Sequence, residues 1–351
     1  MVYPESFGKI YNNQMDKKIL IVGHGLAGCT LAMTCYRRNI PFQLVGHSLP
    51  GEASMASSGL IAPITGRRYV KAWRIDEFLA KAKDFYRWTE SLLGTSYFFP
   101  VEIVRYLSHQ EGRAAWEKRL DDPEYAEYIS SKKYADLDQL GRSYGILTEG
   151  YRLDTPGWIN AVRNFLSANG LFEILDKPYP EDQIFEGHIV FATGAVDPSF
   201  RARIIPNKGE SLLVKMPGWS IKAAIKEEVF IIPLAEQAKF WIGSYYQPWP
   251  DDLLPSEEGK SRLLHSISKV YPEGVEVLAH MAGVRPTVND RRPLIGPFPG
   301  RPGAYIFNGM GTKGTSLAPF WADQLLSYIE GETNLPGEVL PDRYIPEEHR
   351  D

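Results

Sequence analysis

The chain has 351 residues, of which 44% are hydrophobic and 23% are charged, and its formal net charge is −4. These values are typical of a globular protein that can form two domains, and they exclude a disordered chain and argue against an extended nucleic-acid surface. No apolar stretch is long enough to span a membrane, no signal peptide is visible, and the two cysteines indicate reduced thiols, so we expect a cytoplasmic protein.

The first predicted element is a buried strand that enters a glycine-rich turn, between Lys18 and Gly28. The apolar run Ile19–Val22 forms the strand, and Gly23 permits the tight turn. Gly25 lets the backbone approach a pyrophosphate, and Gly28 lets the following helix pack closely. The alternative is an ordinary glycine turn, but the helical pattern after Gly28 favours dinucleotide binding. The candidate cofactor-binding residues of this turn are Gly23, Gly25, Leu26, Ala27 and Gly28.

The second predicted strand, residues 41–45, ends where a dinucleotide fold usually places a carboxylate for the adenosine ribose. Gly46 and His47 stand there instead, and we keep both as cofactor candidates. His47 is either an adenosine contact or a surface loop residue. Glu52 is the next acid, and it reaches the ribose only if its loop folds back.

Three amphipathic helices are predicted in the middle of the chain. The first helix covers Asp76 to Leu93. The second helix is preceded by a capping box that begins at Ser108, and the helix itself ends at Leu120. The third opens at Thr155-Pro156 and stops at Gly170.

Strand patterns follow the third helix. Residues 189–195 predict a buried strand that ends in a small-residue turn and returns to the first sheet. Residues 229–234 and 238–246 predict an antiparallel hairpin, because two β-rich runs flank a short polar loop. A substrate domain is therefore interleaved with the cofactor domain.

A second glycine cluster lies between Tyr305 and Thr315, and a helix follows it. We predict Thr315 or Ser316 as the helix cap, Pro319 in the first turn and Gly331 as the stop. The positive N-terminal end of this helix attracts an anion or a carbonyl oxygen. Two strand–glycine–helix units at opposite ends of one chain suggest that both ends meet at one cofactor, although a purely structural turn is the alternative.

Five motifs, in this order, resemble the landmarks of the D-amino-acid oxidase and glycine oxidase group of flavoproteins, and the match spans roughly residues 17–331. They are the first glycine turn, residues 57–63, residues 191–195, residues 282–286 with 293–297, and residues 308–311 with 317–319. The resemblance implies FAD, an antiparallel substrate domain, and oxidation of a carbon–nitrogen bond by hydride transfer to flavin N5.

The resemblance also implies roles for individual residues. The flavin and its ribityl chain would lie against Ser57, Ser58, Gly59, Leu60 and Ile61. The turns near the flavin and its pyrimidine edge comprise Ala192, Thr193, Gly194, Gly309, Gly311, Thr312, Lys313, Gly314 and Thr315. Arg285 falls where glycine-oxidase-like enzymes bind a substrate carboxylate, or else it forms a salt bridge between domains. Lys313 is either a cation near flavin N1 or an exposed turn residue.

Some residues depart from the family pattern. The ribose carboxylate is missing, and residues 172–174 supply one adenine contact or none. Both cysteines, Cys29 and Cys35, lie on the first helix, so we expect noncovalent FAD. Sarcosine-oxidase-like members carry an oxygen-activating lysine where this chain has Trp241, and oxygen is therefore not the expected electron acceptor. The predicted catalytic set is Arg285, Lys313 and Trp241, and the histidines lie singly, without metal-ligand spacing.

The sequence thus predicts an α/β protein, α+β overall, with a Rossmann-like doubly wound FAD-binding domain and a substrate domain on an antiparallel sheet. The expected ranges are 1–14 for an N-terminal extension, 15–85, 140–200 and 285–351 for the FAD-binding domain, and 86–139 and 201–284 for the substrate domain. The leading function is FAD-dependent oxidation of a small amino acid or secondary amine. The alternatives are oxidation of a modified tRNA wobble uridine and a non-catalytic FAD-binding module.

Overall fold

The computed structural model of the protein describes residues 18–132, 143–180, 183, 185–195 and 204–344. The expected N-terminal extension, residues 1–14, lies outside these ranges.

Strands outnumber helices in the described part of the chain. In chain order, the strands are β1 (Ile19–Val22), β2 (Phe42–Gly46), β3 (Leu60–Ile61), β4 (Ile64–Thr65), β5 (Val70–Lys71), β6 (Phe98–Pro100), β7 (Ile103–Tyr106), β8 (Ile129–Ser130), β9 (Tyr144–Leu147), β10 (Tyr151–Leu153), β11 (Phe172–Ile174), β12 (His188–Phe191), β13 (Ile205–Lys215), β14 (Ala224–Lys226), β15 (Phe230–Pro233), β16 (Lys239–Pro248), β17 (Glu276–Thr287), β18 (Leu294–Pro297) and β19 (Ala304–Asn308). The helices are α1 (Leu26–Arg38), α2 (Ile75–Leu93), α3 (Gln110–Leu120), α4 (Thr155–Ala168), α5 (Glu257–Ser268) and α6 (Gly314–Ile329), with short 3₁₀ turns at Pro123–Tyr125 and Pro341–Tyr344.

The first sheet has the strand order β11-β2-β1-β12-β19-β18. Its strands are parallel except β18, which pairs antiparallel with β19. After β1 the chain forms β2, which pairs with one edge of β1. Strand β12 forms much later in the sequence and pairs with the opposite edge of β1. This reversal is a topological switch point, and ligands bind at such points beyond the carboxyl ends of the strands.

The second sheet has eight strands in the order β17-β13-β16-β15-β14-β7-β9-β8. The long pairs β13–β16 and β13–β17 are antiparallel, and β14 pairs parallel with β7. Two small sheets, β3-β10-β6 and β4-β5, complete the strands described. Strand β9 belongs to this second sheet although the sequence predicted its residues for the FAD-binding domain, and the domain boundaries remain predictions.

The main core lies between the helices and the first sheet. Buried residues of β1, α1, α2, α4 and α6 belong to one apolar cluster, and Trp158 and Trp321 are among its largest fully buried side chains. Within the described residues, no helix is long and apolar enough to cross a membrane. This core fixes α1 and α6 beside each other, and both helices begin at the carboxyl edge of the sheet.

The predicted elements agree with the structure to within a few residues, with two corrections at helix ends. Helix α3 begins after His109, which makes no side-chain cap bond, so the capping box predicted at Ser108 is wrong. Helix α6 begins after Lys313, earlier than a cap at Thr315 or Ser316 would place it. Pro319 consequently lies inside the helix rather than in its first turn.

Candidate active site

Three loops meet beyond the carboxyl ends of β1, β12 and β19. They are the turn of residues 23–27, the turn of residues 192–195 and the turn of residues 310–315, and together they line one cleft. The second sheet closes the cleft from the opposite side with residues of β13, β15, β16 and β17. The cleft therefore joins the switch point of the first sheet to one face of the second.

The first glycine turn has the geometry that the sequence indicated. Gly23 has φ +110°, which favours glycine, and a Cβ at Gly28 would collide with the carbonyl oxygen of Gly23. A Cβ at Gly25 would lie 3.3 Å from Oγ of Ser54, and the amide of Leu26 donates to that oxygen over 3.0 Å. Gly25 and the start of α1 thus present backbone to the cleft.

Most candidate cofactor residues line the cleft. These residues are Gly23, Gly25, Leu26, Ala27, His47, Ser57, Ser58, Leu60, Ala192, Thr193, Gly194, Gly311, Thr312, Lys313, Gly314 and Thr315. The candidate catalytic residues Arg285, Lys313 and Trp241 line it too. The structure thus brings both ends of the chain and the middle strands to one place.

Five candidates pack behind the cleft wall: Gly28, Gly46, Gly59, Ile61 and Gly309. A Cβ at Gly46 would collide with the ring of His24, and one at Gly59 would collide with the carbonyl of Leu153. At these positions glycine is required by close packing within the protein, because a Cβ would collide with neighbouring protein atoms.

A cluster that sequence reasoning largely missed supports the first glycine turn. Arg163 of α4 donates from Nε and Nη2 to the carbonyl of His24, over 3.0 and 2.8 Å. Nη2 of Arg163 also lies 3.2 Å from Glu52, whose other oxygen lies 3.8 Å from Nε2 of His24. Burial, followed by the charge of Arg163, lowers the pKa of His24. The sequence did identify Glu52 as the nearest acid, and its loop does fold back to the cleft.

The adenosine side holds the remaining early candidates. His47 donates from Nδ1 to the carbonyl of Leu175 over 3.1 Å. Residues 172–174 form β11 at the edge of the first sheet and pair with β2. The backbone N–H and C=O groups that face β2 are therefore used in the hydrogen bonds of the sheet.

The second glycine turn is tied to its surroundings by two polar contacts. Asn308 donates from Nδ2 to the carbonyl of Gly194 over 3.0 Å, which joins the turns after β12 and β19. Pro319 has no N–H for the carbonyl of Thr315, and the Tyr86 hydroxyl donates to that carbonyl instead, over 3.0 Å. The open N-terminus of α6 is thereby held against the cleft.

Arg285 is a half-buried cation without a carboxylate partner in the described part of the chain. Its Nη2 donates to Oγ of Ser244 over 2.8 Å, and its guanidinium lies 4.6 Å from the ring centre of Tyr246. Nη1 is buried and has no hydrogen-bond partner, and burial lowers the pKa of the group. Gly209 makes room for the guanidinium, because a Cβ there would collide with it. Within the described residues no domain-interface salt bridge forms at Arg285, and an unused N–H in a cleft suits a carboxylate ligand.

Trp241 and Lys313 face the cleft from opposite walls. The indole N–H of Trp241 donates to the carbonyl of Ala56 over 3.2 Å, and the ring lies over Gly243. The side chain of Lys313 is exposed, yet desolvation, and then the charges of Arg292 and Arg291, lower its pKa.

Comparison with known proteins identifies the family. The sequence matches the DAO family, described as FAD dependent oxidoreductase, over residues 18–327. The chain belongs to this family. It is an FAD-dependent oxidoreductase of the amino-acid and amine oxidase type. The Rossmann-like first sheet agrees with the fold of the structural neighbours, and FAD is the cofactor of the family.

Individual members of the DAO family cover nearly the whole chain. A glycine oxidase from Pseudomonas putida is 31% identical, with 95% of this chain and 99% of the relative covered. The crystal structure of glycine oxidase from Geobacillus kaustophilus has a TM-score of 0.79 at 16% identity and covers 94% of this chain and 100% of its own. Iminodiacetate oxidase from Chelativorans sp. BNC1 has a TM-score of 0.74 at 17% identity, with 92% and 98% covered.

The residues present fit the family's cofactor. Bare backbone at Gly25 and the N-terminus of α1 suit a pyrophosphate, while the N-terminus of α6 suits an electron-rich carbonyl of the flavin. Cys29 and Cys35 are fully buried in the core, and burial raises the pKa of Cys29 to about 12. Noncovalent binding remains the prediction for this chain.

Proposed function

We propose that the chain oxidises the carbon–nitrogen bond of a small amino acid or secondary amine that carries a carboxylate. The observation that supports this most directly is Arg285, a half-buried guanidinium in the cleft with an unused N–H and no carboxylate partner among the described residues. Glycine and iminodiacetate, the substrates in the names of similar proteins, both carry a carboxylate beside an amine.

The chain's own residues have three tasks in this reaction. Arg285 orients the substrate through its carboxylate, so that the C–H bond beside nitrogen faces the cofactor. Trp241 and Phe230 provide an apolar wall that limits water. The N-termini of α1 and α6 stabilise negative charge on the bound cofactor. Bound FAD would supply the two-electron oxidant for this reaction, and the substrate, after its nitrogen loses a proton, would leave as an imine.

An anaerobic flavin-bleaching screen tests the proposal. We expect the visible absorption of the flavin to fall with one or more of glycine, N-methylglycine, iminodiacetate and small D- or L-amino acids. Matched amines without a carboxylate should bleach it more slowly, because they do not engage Arg285. Bleaching by none of these compounds, with FAD fully bound, would favour a non-catalytic module and contradict the proposal.

Reoxidation should reveal the consequence of Trp241. An indole occupies the position where related enzymes carry the oxygen-activating lysine, so the reduced protein should react slowly with oxygen and faster with an artificial dye. Stopped-flow absorbance after substrate reduction measures both rates. Trp241→Phe places a smaller aromatic ring there, again without an ammonium group, and should not change the preference for the dye over oxygen. Equal rates with air-saturated buffer and dye would show that another group activates oxygen.

A further inference from the structure

Two cations lie side by side near the part of the cleft that Phe230 and Thr65 line. Lys226 of β14 and Arg105 of β7 are paired in register on adjacent parallel strands. The ammonium of Lys226 lies 4.9 Å from the ring centre of Phe230. Arg105 donates from Nη2 to the carbonyl of Gly66 over 3.3 Å, directly after Thr65. Both cations therefore adjoin the cleft wall.

Neither cation has a carboxylate partner in the described part of the chain. The ammonium of Lys226 donates to the backbone carbonyl of Glu228 over 2.6 Å. The carboxylate of Glu228 instead pairs with Lys269, also at 2.6 Å. The guanidinium of Arg105 lies over the ring of Tyr69, at 5.2 Å from its centre. The pair is thus bounded by carbonyls and aromatic rings.

The electrostatic state of the pair favours an added anion. Burial, and then the positive charge of Arg105, lower the pKa of Lys226 to about 8, and Glu228 offsets this only in part. Burial also lowers the pKa of Arg105. Two half-buried like charges repel, and an anion between them would relieve the repulsion and raise both pKa values.

We propose that Arg105 and Lys226 form a second anion-binding site, which takes the distal carboxylate of a substrate whose first carboxylate Arg285 binds. This inference rests on the proposed function and narrows its substrate class to amino acids or secondary amines with two carboxylates. The guanidinium of Arg285 lies over Gly209 on β13, and three strand spacings of about 4.8 Å separate β13 from β14. Through β15 and β16, Lys226 is in register with Ser211, so Gly209 is displaced by two residues, or roughly 7 Å, along β13. The two backbones are therefore roughly 16 Å apart, and about 4 Å for each cation–carboxylate contact leaves roughly 8 Å between carboxyl groups. The Lys226 ammonium lies towards β15, at the ring of Phe230, which shortens this gap to a length that adipate can span.

Equilibrium binding to the FAD-loaded protein tests the site without turnover. Adipate and hexanoate have the same chain length and differ by one carboxylate. Titration followed by the flavin difference spectrum should show that adipate binds at least tenfold more tightly than hexanoate. Hexanoate is the more apolar of the two, so burial in an apolar cleft alone predicts the reverse order.

Charge-removing variants locate the second contact. Lys226→Met and Arg105→Gln should each remove most of the preference for adipate and leave hexanoate affinity unchanged. Lys222→Met removes an exposed lysine of the same segment and should change neither affinity. Arg285→Lys should weaken both ligands. Melting temperatures measured beside the titrations identify any variant that fails to fold.

The pH dependence gives an independent readout. An anion that binds the ammonium form of Lys226 loses affinity as pH rises through about 8, by about tenfold between pH 7 and pH 9. The charged groups that act on Lys226 are Arg105, whose guanidinium lies over the ring of Tyr69, and Glu228, whose carboxylate pairs with Lys269. Glu227 is the next residue along the chain. Lys226→Met should abolish this pH dependence for adipate, and hexanoate should not show it.

Equal affinities of the wild type for adipate and hexanoate would overturn the second site, as would an unchanged preference in Lys226→Met. Bleaching by simple monocarboxylate amino acids would still support the proposed function in that case. Absence of bleaching by every carboxylated amine, with adipate binding intact, would instead contradict the proposed function and the substrate class, while the second anion-binding site itself would stand.

Discussion

Gly25→Val is expected to deplete the purified protein of FAD. The wild type should release all of its flavin into the supernatant after acid precipitation, as noncovalent binding requires. A Cβ at Gly25 lies 3.3 Å from Oγ of Ser54, so the extra methyl groups of valine have only the cleft to occupy. They then fill the space that a pyrophosphate needs, and we expect at least about a hundredfold weaker FAD binding, or about 2.8 kcal/mol.

Two matched variants control this result. Gly25→Ala adds only the Cβ and should lose less affinity than valine. Gly337→Val places the same side chain at an exposed glycine whose Cβ meets nothing within 4 Å, and it should retain full FAD. Flavin content and fluorescence titration of apoprotein measure the effect. Normal FAD binding by a folded Gly25→Val protein would contradict the pyrophosphate assignment, and yellow colour left in the washed wild-type pellet would contradict noncovalent binding.

Arg285→Lys should slow oxidation of carboxylated substrates selectively. Lysine keeps the charge but loses the planar fork, and its ammonium can hardly satisfy Ser244 and a carboxylate with the same geometry. Loss of a charge-assisted contact in a desolvated site should cost about 2 to 4 kcal/mol in kcat/KM, or roughly 30- to 1000-fold. Amines without a carboxylate should lose much less.

Steady-state or bleaching rates for substrates matched with and without the carboxylate measure this difference. Arg291→Lys, at an exposed arginine near Lys313, serves as the control and should leave both rates unchanged. If Arg285→Lys slows both substrate types equally while flavin content and melting temperature stay constant, Arg285 does not bind the carboxylate.

Local patterns allowed much of the fold to be predicted from the sequence. The strand, turn and helix around Gly23 to Gly28 follow one another directly along the chain. The features that specify them, the spacing of apolar residues and the positions of the glycines, therefore lie within a short stretch of sequence. The hairpin of β15 and β16 and the helix that opens at Thr155 were predicted for the same reason. The first residues of α3 and α6 were not predicted correctly. The position at which the backbone first becomes helical depends on the conformation of the preceding loop, which the local sequence pattern does not determine.

Contacts between distant segments were not predictable. Arg163 and Glu52 are 111 residues apart, and Tyr86 and Thr315 are 229 residues apart. Lys226 meets Arg105 only through the register of β14 on β7. Each pair depends on packing or strand register that the whole chain determines, and an arginine or lysine alone gives no local signal of its neighbour. The cleft's glycine turns could therefore be found from the sequence, whereas the partners of its charged groups could not.

The strand order of the first sheet also constrains biosynthesis. Strand β1 pairs with β12, whose residues lie about 170 positions later, and β12 pairs with β19, which ends at Asn308. Pairings of such long sequence separation form slowly, and a nascent chain exposes their unpaired edges until the partner is made. The turn that completes the cleft follows β19 and ends at Thr315. Synthesis must therefore pass β19 before the cleft can form, and we expect that added FAD does not rescue a truncated product that stops before β19.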